Sequence, residues 1–415
     1  MATENPALFI DPAFTPWVQN CRMDRGAVEK CWGYAVSRTL GSPVYSINVY
    51  PKIDGSRYTL YLTDTDLISR ETASGKTWSY KTDSYVTSTV ASMNVAKTVV
   101  TGTAGTAWNT AGLAAGDKFI VDADLTADEE LDANWATILT VDGATQVTLA
   151  AAYTGSATSG AYRIRKVYSL PANERWSTAI VNDTFCFTNG NINVQKYTGT
   201  GYASDLDSTY AVKARFAMEY DNRLVLADLY QSGVRAPLSF AWSCILDSTD
   251  FDPGTDGTAG VADILETEDF ITGLGRVGGN MVVFKRESLH FYDRTGTSTA
   301  PFRKIGERRG VGNIAPYSIA NFLGTCAFLG KNDFYILNGD QPESIGEKIR
   351  DKFFDMVTPT EAQNVWAYAN HDANEIMWFT NTTSGRYVFV FNYQDKSWYV
   401  YSYPDEVTCA GRGAV

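Results

Sequence analysis

The sequence predicts an all-β chain built from repeated antiparallel units, and three observations lead to this fold class. Short apolar runs, such as residues 281–284 and 326–329, are each followed by a four-residue polar connector and a second apolar run. Connectors of this length between β-rich runs are typical of hairpins. The frame recurs about every 48 residues, a spacing typical of β-propeller blades. The composition, with 13% aromatic and 20% charged residues, is that of a folded chain.

The repeat is measured from six anchor residues, each closing the apolar run before a connector. They are Leu62, Phe187, Leu226, Phe284, Leu329 and Phe379. Once an insert rich in Ala, Thr and Gly is set aside, the chain holds roughly seven such units. The prediction is therefore a six- or seven-bladed β-propeller with a small inserted β-barrel or sandwich domain and one short amphipathic helix. A multi-sheet β-sandwich is the alternative, but it does not explain the regular period.

The domain organisation follows from these patterns. Prolines at positions 6, 12 and 16 remove ladder donors, so the first segment reads as an extended arm. The composition shift places the insert, whose acidic cluster at residues 128–130 is predicted to be a solvated loop. The predicted divisions are an N-terminal arm or closure segment at 1–44, the first part of the propeller at 45–88, the inserted β-domain at 89–166 and the second part of the propeller at 167–415.

The helix is predicted at residues 343–357. Ile345, Ile349, Phe353 and Met356 recur there at intervals of four, four and three residues, which makes one apolar stripe on a helix. We expect this stripe to pack onto a blade; projection into an interface is the alternative.

Charge and cysteine usage exclude several classes of protein. The formal net charge of −12 argues against a general nucleic-acid binder, because neutralising phosphates requires a basic surface. The sequence contains no run of 18 apolar residues, so no membrane-spanning segment is predicted. The first residues do not resemble a signal peptide. The six cysteines lack CxxC spacing, so we expect reduced and mostly buried thiols in a chain that folds in the cytosol.

No catalytic, cofactor-binding or metal-binding residue is predicted. The chain has two histidines, His290 and His371, and no GxSxG elbow. His290 alternates with Leu289 and Phe291 at strand spacing, which indicates an ordinary strand histidine. The glycines of GLGRVGGN precede a strand and not a helix, so they are predicted to be turn glycines and not a phosphate loop. They are Gly273, Gly275, Gly278 and Gly279.

An aspartate-rich segment, DSTDFDPGTDG, is compared with a calcium loop. Its carboxylates do not follow the EF-hand spacing, and the Pro-Gly pair favours a plain surface turn. The aspartates are Asp247, Asp250, Asp252 and Asp256.

Two other classes of propeller stay open as alternatives. Propeller glycoside hydrolases carry paired carboxylates and SxDxGxTW turns, but residues 75–78 match only the second half of that motif. A glycan-binding, lectin-like propeller should repeat a sugar-stacking Trp or Tyr in each blade, and the ten tryptophans do not keep such a register.

One short segment concentrates positive charge in this acidic chain. Residues 302–309 carry Arg303, Lys304, Arg308 and Arg309, which we take as a candidate interface for an acidic neighbour or for DNA phosphate. A solvated loop is the alternative.

An ordered series of motifs resembles a known family. It comprises WSxxLDSTDF at 242–251, ITGL at 271–274, VFKRESL at 283–289, GVG at 310–312, APYSI at 315–319, NDFY at 332–335 and IG at 345–346, with NCRMDRGAVEK at 20–30 before them. The series resembles the tail nozzle, or tail-accessory (tail-stabilisation), proteins of short-tailed bacteriophages. The resemblance is good over about 220–357 and moderate over 15–34 and 385–401.

The resemblance implies a structural virion protein and not an enzyme. Such proteins form a ring, expected here to be a homohexamer, below the portal and its adaptor; the ring extends the DNA exit channel and anchors tail fibres, tailspikes or a needle-like plug. It implies location in the virion tail after assembly in the host cytoplasm, no cofactor, no membrane span, and passage of genome DNA without sequence-specific binding. Excess acidic charge would suit a channel through which DNA slides, a hypothesis that a basic channel wall would contradict.

Overall fold

We describe the protein from a computed structural model. It describes residues 21–24, 27–30, 40–71, 78–103, 106–126, 134–206, 209, 212–231, 233–254, 258–297 and 300–411. Several predicted features lie outside these residues. They are most of the N-terminal arm, residues 75–77 of the segment compared with the glycosidase motif, the acidic cluster at 128–130, and Asp256.

Six four-stranded antiparallel sheets, each made of consecutive strands, dominate the structure. We call them blades 1–6. A two-stranded sheet of β1 (Cys21–Asp24) and β2 (Ala27–Lys30) precedes them. Blade 1 comprises β3 (Val44–Pro51), β4 (Arg57–Thr63), β5 (Leu67–Glu71) and β6 (Trp78–Tyr80).

A closed barrel follows blade 1 in the chain, with strand order β10-β11-β8-β7-β12-β9. Its strands are β7 (Ser84–Met93), β8 (Val99–Gly102), β9 (Lys118–Val121), β10 (Ala136–Val141), β11 (Gln146–Leu149) and β12 (Ser159–Arg165), with a 3-10 turn at Asp122–Asp124. The barrel begins five residues earlier than the predicted insert at 89–166, because the first strand starts at Ser84.

The remaining strands form blades 2–6. Blade 2 is β13 (Ser177–Val181), β14 (Thr184–Thr188), β15 (Gln195–Tyr197) and β16 (Ser204–Asp205). Blade 3 is β17 (Lys213–Tyr220), β18 (Arg223–Gln231), β19 (Val234–Trp242) and β20 (Gly260–Asp263). Blade 4 is β21 (Ile271–Val277), β22 (Asn280–Lys285), β23 (Ser288–Arg294) and β24 (Phe302–Arg309).

Blade 5 is β25 (Ala320–Phe322), β26 (Thr325–Leu329), β27 (Phe334–Asn338) and β28 (Gln341–Ser344). After it come the helices α1 (Arg350–Met356) and α2 (Pro359–Ala362). Blade 6 is β29 (Trp366–Asn370), β30 (Glu375–Thr382), β31 (Gly385–Asn392) and β32 (Ser397–Ser402). The chain is all-β, a six-bladed propeller with an inserted barrel, which confirms the predicted fold class.

The six anchors all lie in the second strand of a blade and are buried. The estimate of roughly seven units was one too high. The estimate included the N-terminal segment in the length assigned to blades, whereas blade 1 begins only at Val44.

By its internal contacts the chain divides into two compact units. One contains blades 3–6 with β13; the other contains blade 1, the barrel and β14–β16. In the first unit, the first strand of each blade contacts the first strand of the next, from β13 through β17, β21 and β25 to β29.

Aromatic side chains fill the spaces between neighbouring blades of the first unit. Phe284 of blade 4 meets Phe328 of blade 5 edge-on, with ring centroids 5.2 Å apart. Phe240 of blade 3 meets Tyr292 of blade 4 at 5.1 Å. Such pairs add about 0.5–1.5 kcal/mol to the stabilisation from burial alone. Each blade is therefore held mainly by its neighbours.

In the second unit, a buried arginine ties the end of the barrel to blade 1. Arg165 closes β12 and is 3% exposed; its Nε lies 3.0 Å from the Asp66 carboxylate. Its guanidinium lies 3.3 Å from the ring centroid of Tyr80 and 4.5 Å from that of Trp135. A planar cation between two aromatic faces and a carboxylate fixes the direction in which the barrel leaves the blade.

The predicted helix at 343–357 is wrong in its first half. Residues 341–344 form β28, and α1 spans only Arg350–Met356. A Cβ on Gly346 would lie 1.9 Å from Asp333 Oδ1, so a larger residue there would displace that side chain. The predicted packing is nevertheless correct: Ile349 and Phe353 are fully buried in the core that includes blade 6. No helix in the described part of the chain is long and apolar enough to cross a bilayer.

Blade 3 differs from its predicted form as well. After the anchor Leu226, the next apolar run in the sequence is at residues 240–242, which predicts a return strand there beyond a long loop. In the structure β18 continues to Gln231 and β19 begins already at Val234. A β-bulge interrupts the ladder at Asp228, whose φ is +56° and whose carboxylate is buried. Arg235 Nε and Nη2 donate to that carboxylate at 2.7 and 2.6 Å. Asp228, which interrupts the apolar run of β18 in the sequence, is thus paired with Arg235 across the hairpin.

A substitution of Gly312 tests how tightly the loop before blade 5 packs against blade 4. A Cβ at Gly312 would lie 2.5 Å from Lys285 O and 2.6 Å from the carbonyl of Arg286, and backbone atoms cannot rotate away. We expect Gly312→Ala to lower the free energy of unfolding by about 2 kcal/mol, within the range of overpacked sites. Urea denaturation followed by tryptophan fluorescence measures this.

Gly306→Ala is the matched control, since a Cβ at Gly306 meets nothing within 4 Å. It should change stability by less than about 0.5 kcal/mol. Equal effects of the two substitutions would contradict the tight packing at Gly312.

Candidate functional site

The predicted basic segment is a strand and not a loop. Arg303, Lys304, Arg308 and Arg309 lie on β24, the last strand in the order of blade 4. Its ladder partner is β23, and a bulge between Phe291 and Tyr292 leaves one extra residue on the β24 side. We call these four cations the basic strand.

Two cations of the basic strand share one carboxylate. Lys304 Nζ lies 2.6 Å from Glu307 and 2.8 Å from Glu266, and Arg309 Nη2 lies 2.7 Å from Glu307. The hydrogen bond from Lys304 is the main reason that the pKa of both glutamates lies below its usual value. Partial burial opposes charge on Lys304, yet its hydrogen bonds to Glu266 and Glu307 raise its pKa.

The other two cations are paired as well. Arg303 Nη2 donates to Asp293 at 3.2 Å, and Arg308 donates to Asp340. Each positive charge of the basic strand therefore has a carboxylate partner in the same chain. Exposed pairs of this kind contribute little stability, about 0–1 kcal/mol each. They do place charge along a sheet edge, which discourages pairing with a foreign strand.

Behind the basic strand lies a buried polar network. The Lys285 ammonium is fully buried and donates to Thr267 O and Thr267 Oγ1, both at 2.7 Å, and to Ile264 O at 3.2 Å. Asp269 lies 3.5 Å from it and accepts hydrogen bonds from Ser288. The sequence places Lys285 at the start of a polar connector, whereas in the structure it is the last residue of β22 and is buried. Its position at the end of an apolar run was the available signal.

His290 completes the network in its neutral form. Its Nε2 lies 3.1 Å from Ser288 Oγ and 3.3 Å from Thr267 Oγ1. Burial, and then the positive charges of Lys304 and Lys285, lower the pKa of His290 to about 4; Glu307 and Glu266 oppose this shift. His290 is a strand histidine, as predicted, and it is fully buried.

The order Ser288, His290, Glu307 superficially resembles a nucleophile, base and orienting acid. The geometry does not support that role. His290 Nδ1 lies 3.9 Å from Glu307, beyond hydrogen-bond distance, and Ser288 is 1% exposed. A nucleophile must reach a substrate, so the arrangement serves packing and not catalysis in this geometry.

The glycines of GLGRVGGN fall into two groups. Gly278, with φ of +58°, and Gly279 form the turn between β21 and β22, as predicted. Gly273 and Gly275 lie inside β21, so their assignment as turn glycines was wrong. A Cβ on Gly275 would lie 2.8 Å from both Cys326 Sγ and Phe284, and one on Gly273 would lie 2.5 Å from the side chain of Ile319, the residue before the first strand of blade 5. These glycines permit close packing between blades.

The aspartate-rich segment forms local turns. Asp247 accepts from the backbone and hydroxyl of Thr249 at 2.8 and 2.7 Å, Asp250 accepts from Asp252 N at 2.9 Å, and Asp252 accepts from Gly254 N at 2.7 Å. Within the described residues no group of three or more acidic, cysteine or histidine side chains could hold a metal ion.

The cysteines that the structure describes are free thiols. Cys186, Cys244 and Cys326 are buried and Cys409 is half-buried. Burial raises the pKa of the Cys326 thiol to about 12. Cys31 and the side chain of Cys21 lie outside the described residues.

Comparison with known families decides the relationship. The model of the family described as "Bacteriophage P22 Gp10, beta-propeller" matches residues 140–403, more than half of the 415-residue chain. The chain belongs to this family. The match begins within β10 of the barrel and ends after β32, so it includes blades 2–6 of this phage propeller.

Comparison with other proteins adds little. No curated protein matches the chain. Solved structures similar to it include dihydro-heme d1 dehydrogenase NirN (8% identity, 74% of this chain and 52% of that one, TM-score 0.36), apo AztD from Citrobacter koseri (10%, 82% and 94%, 0.30) and an auxiliary nutrient binding protein from Bacteroides ovatus (12%, 78% and 72%, 0.29). TM-scores this low carry no argument about function.

The buried histidine makes stability depend on pH in a defined window. The unfolded chain binds a proton at His290 with a pKa near 6.5, whereas the folded chain binds it only near pH 4. The stabilisation is therefore complete above pH 6.5 and is lost as the pH falls toward 4, by about 2 kcal/mol at pH 5. Urea unfolding of wild type and His290→Gln at pH 7 and pH 5 should show a smaller loss in the variant.

His371→Gln is the matched control, because His371 is exposed on the turn between β29 and β30. It should keep the wild-type dependence on pH. A His290→Gln variant with the full wild-type loss between pH 7 and pH 5 would contradict the assignment.

Proposed function

We propose that this chain is the repeating subunit of a ring in the tail of a phage virion, below the portal and its adaptor. In this proposal the ring is a homohexamer, extends the DNA exit channel and anchors tail fibres, tailspikes or a plug. The observation that carries the proposal is membership in the P22 Gp10 propeller family over residues 140–403, which supports a structural role in a phage tail. The proposed role is structural and not enzymatic, requires no cofactor, and places the protein in the virion after assembly in the host cytoplasm.

The architecture is compatible with a structural subunit. Blades 3–6 are held to one another by buried aromatic contacts, and α1 adds Phe353 to the core of blade 6. A subunit that bears load in an assembly benefits from such continuous packing, because its blades cannot separate without exposing apolar surface.

The first strands of the blades in the first unit do not carry the chain's excess of acidic residues. The charged residues there are Lys213, Arg215, Glu219 and Arg276. Arg276 Nη2 lies 2.9 Å from Glu219, so part of this charge is compensated. An acidic wall for passing DNA would have to come from other surfaces of the subunit, and DNA would pass without sequence-specific contacts.

Native mass measurement tests the proposed assembly. The purified chain, alone and mixed with portal and adaptor proteins, should form a closed ring with the mass of six copies. A strict monomer under all conditions, or specific glycan binding or turnover by the isolated chain, would overturn the proposal.

The same measurement tests the basic strand as an interface. Arg303→Glu combined with Arg309→Glu reverses the two most exposed cations and should reduce ring formation or adaptor binding by roughly tenfold or more. Lys396→Glu, in the turn between β31 and β32, is a single charge reversal outside the basic strand that serves as the control and should leave assembly intact. Unchanged assembly of the double variant would place the basic strand outside the contact.

A further inference from the structure

A cavity of about 380 Å³ lies where two blade connectors of the first unit approach the helical segment. The KRES connector of blade 4 contributes Arg286 and Glu287, and the GKND connector of blade 5 contributes Lys331. These are equivalent positions of the repeat, between the second and third strands. This volume falls within the range of small binding pockets, and it accommodates one large side chain with its neighbours.

Apart from Asn332 and Gln363, the wall of the cavity is apolar. Ile314, Phe354, Pro359 and Ala362 line it, and Ala362 is 1% exposed. Phe354 meets the buried Phe353 edge-on, with ring centroids 5.0 Å apart, and both Phe354 and Ile314 are half-buried and pack against the core that contains Phe353. An apolar side chain entering the cavity would meet a preformed surface.

The mouth of the cavity carries positive charge that the chain leaves largely uncompensated. The guanidinium of exposed Arg286 has no hydrogen-bond or ion-pair partner among the residues that the structure describes. Among the described residues, the ammonium of Lys331 pairs only with the Glu287 carboxylate, at 3.9 Å, and both side chains are mostly exposed. This contrasts with the basic strand, where every cation is paired closely. Two cations against one carboxylate favour an anionic ligand, even though the chain as a whole carries −12.

The backbone of the mouth is held rigidly. Arg286 N donates to Phe270 O at 3.1 Å and Glu287 N donates to Asp269 Oδ2 at 2.7 Å. Gly310 N and Asn313 N donate to the carbonyls of Glu287 and Lys285, both at 2.9 Å. The connector that carries Arg286 therefore has a fixed backbone, and less conformational entropy would be lost when a ligand binds to it.

We propose that this cavity, the connector pocket, binds a peptide segment of a partner protein that carries a large apolar residue next to aspartate or glutamate. The apolar side chain enters the cavity, and the carboxylate meets the guanidinium of Arg286, which can form two parallel hydrogen bonds, and the ammonium of Lys331. The inference rests on the proposed function, because a virion subunit that anchors other proteins needs such docking sites.

The test uses the full chain and fluorescein-labelled, end-blocked peptides of nine residues. Each has a central tryptophan in a glycine–serine background, followed by two aspartates, two asparagines or two lysines. Fluorescence anisotropy should show saturable binding of the acidic peptide and roughly tenfold weaker binding of the asparagine peptide, as expected for loss of a charge-assisted contact.

Arg286→Glu combined with Lys331→Glu should weaken the acidic peptide by at least about tenfold and favour the lysine peptide. Lys396→Glu, a single charge reversal at a residue that does not line the cavity, is the control and should bind the acidic peptide as the wild type does. Thermal melting confirms that the variants are folded, which we expect because the replaced side chains are exposed.

Several results would overturn the inference. The first two are equal affinity for the three peptides and no binding by any of them. The third is an affinity for the acidic peptide that the double variant does not change. The fourth is benzoate binding as tightly as the acidic peptide, which would indicate a small carboxylate ligand. Loss of self-association in the double variant without peptide binding would indicate a second copy of the chain as the occupant. A ring that forms normally with a pocket that binds no peptide refutes only this inference, whereas a strict monomer that binds the peptide refutes only the ring.

Discussion

The burial of both faces of the second strand in each blade is the constraint on which the rest of the structure depends. In β18, β22, β26 and β30 nearly every residue is buried, on both sides of the sheet. A four-stranded sheet alone cannot cover both of its faces, so each blade requires a neighbour on either side. The same requirement explains Gly273 and Gly275, which let the first strand of blade 4 approach blade 5 closely.

This constraint also explains which parts of the fold the sequence reveals. A strand buried on both faces is a continuous apolar run, which is visible without any alternation. The six anchors were therefore located correctly. Three of the fourth strands have no such signal, because β16 reads SD, β20 reads GVAD and β28 reads QPES; β32, which reads SWYVYS, does carry a buried apolar run. Residues 343–344 were assigned to a helix because the apolar stripe that follows them was the stronger pattern, and hydrogen bonds to β27 decided otherwise.

Polar residues inside strands were the other source of error. Asp228 sits at a bulge within β18, and Lys285 ends β22 with its ammonium buried. Both residues look like connector residues in the sequence, because a charged side chain is rarely buried without partners. Their partners lie outside the apolar runs that mark the strands: Arg235 comes from the other strand of the hairpin, and the oxygen atoms of Thr267 come from a segment 18 residues before Lys285. A candidate site assembled in this way could not be predicted from spacing. The basic strand was visible as a cluster of charge, but its compensation by Asp293, Glu307 and Asp340 was not.

The buried polar network and the connector pocket share one structural cause. At the end of β22 the alternation of the strand turns Lys285 inward and Arg286 outward. The inward ammonium holds Thr267 and lies beside Asp269, and Asp269 in turn accepts the backbone N–H of Glu287. The connector that carries Arg286 is thus fixed from behind by a buried charge that needs these oxygen atoms. Burying an ammonium group is costly, and here the hydrogen bonds to Thr267 and Ile264 and the nearby Asp269 carboxylate offset that cost. The same contacts order the segment against which the connector with Arg286 is held, so the buried charge and the position of Arg286 depend on each other.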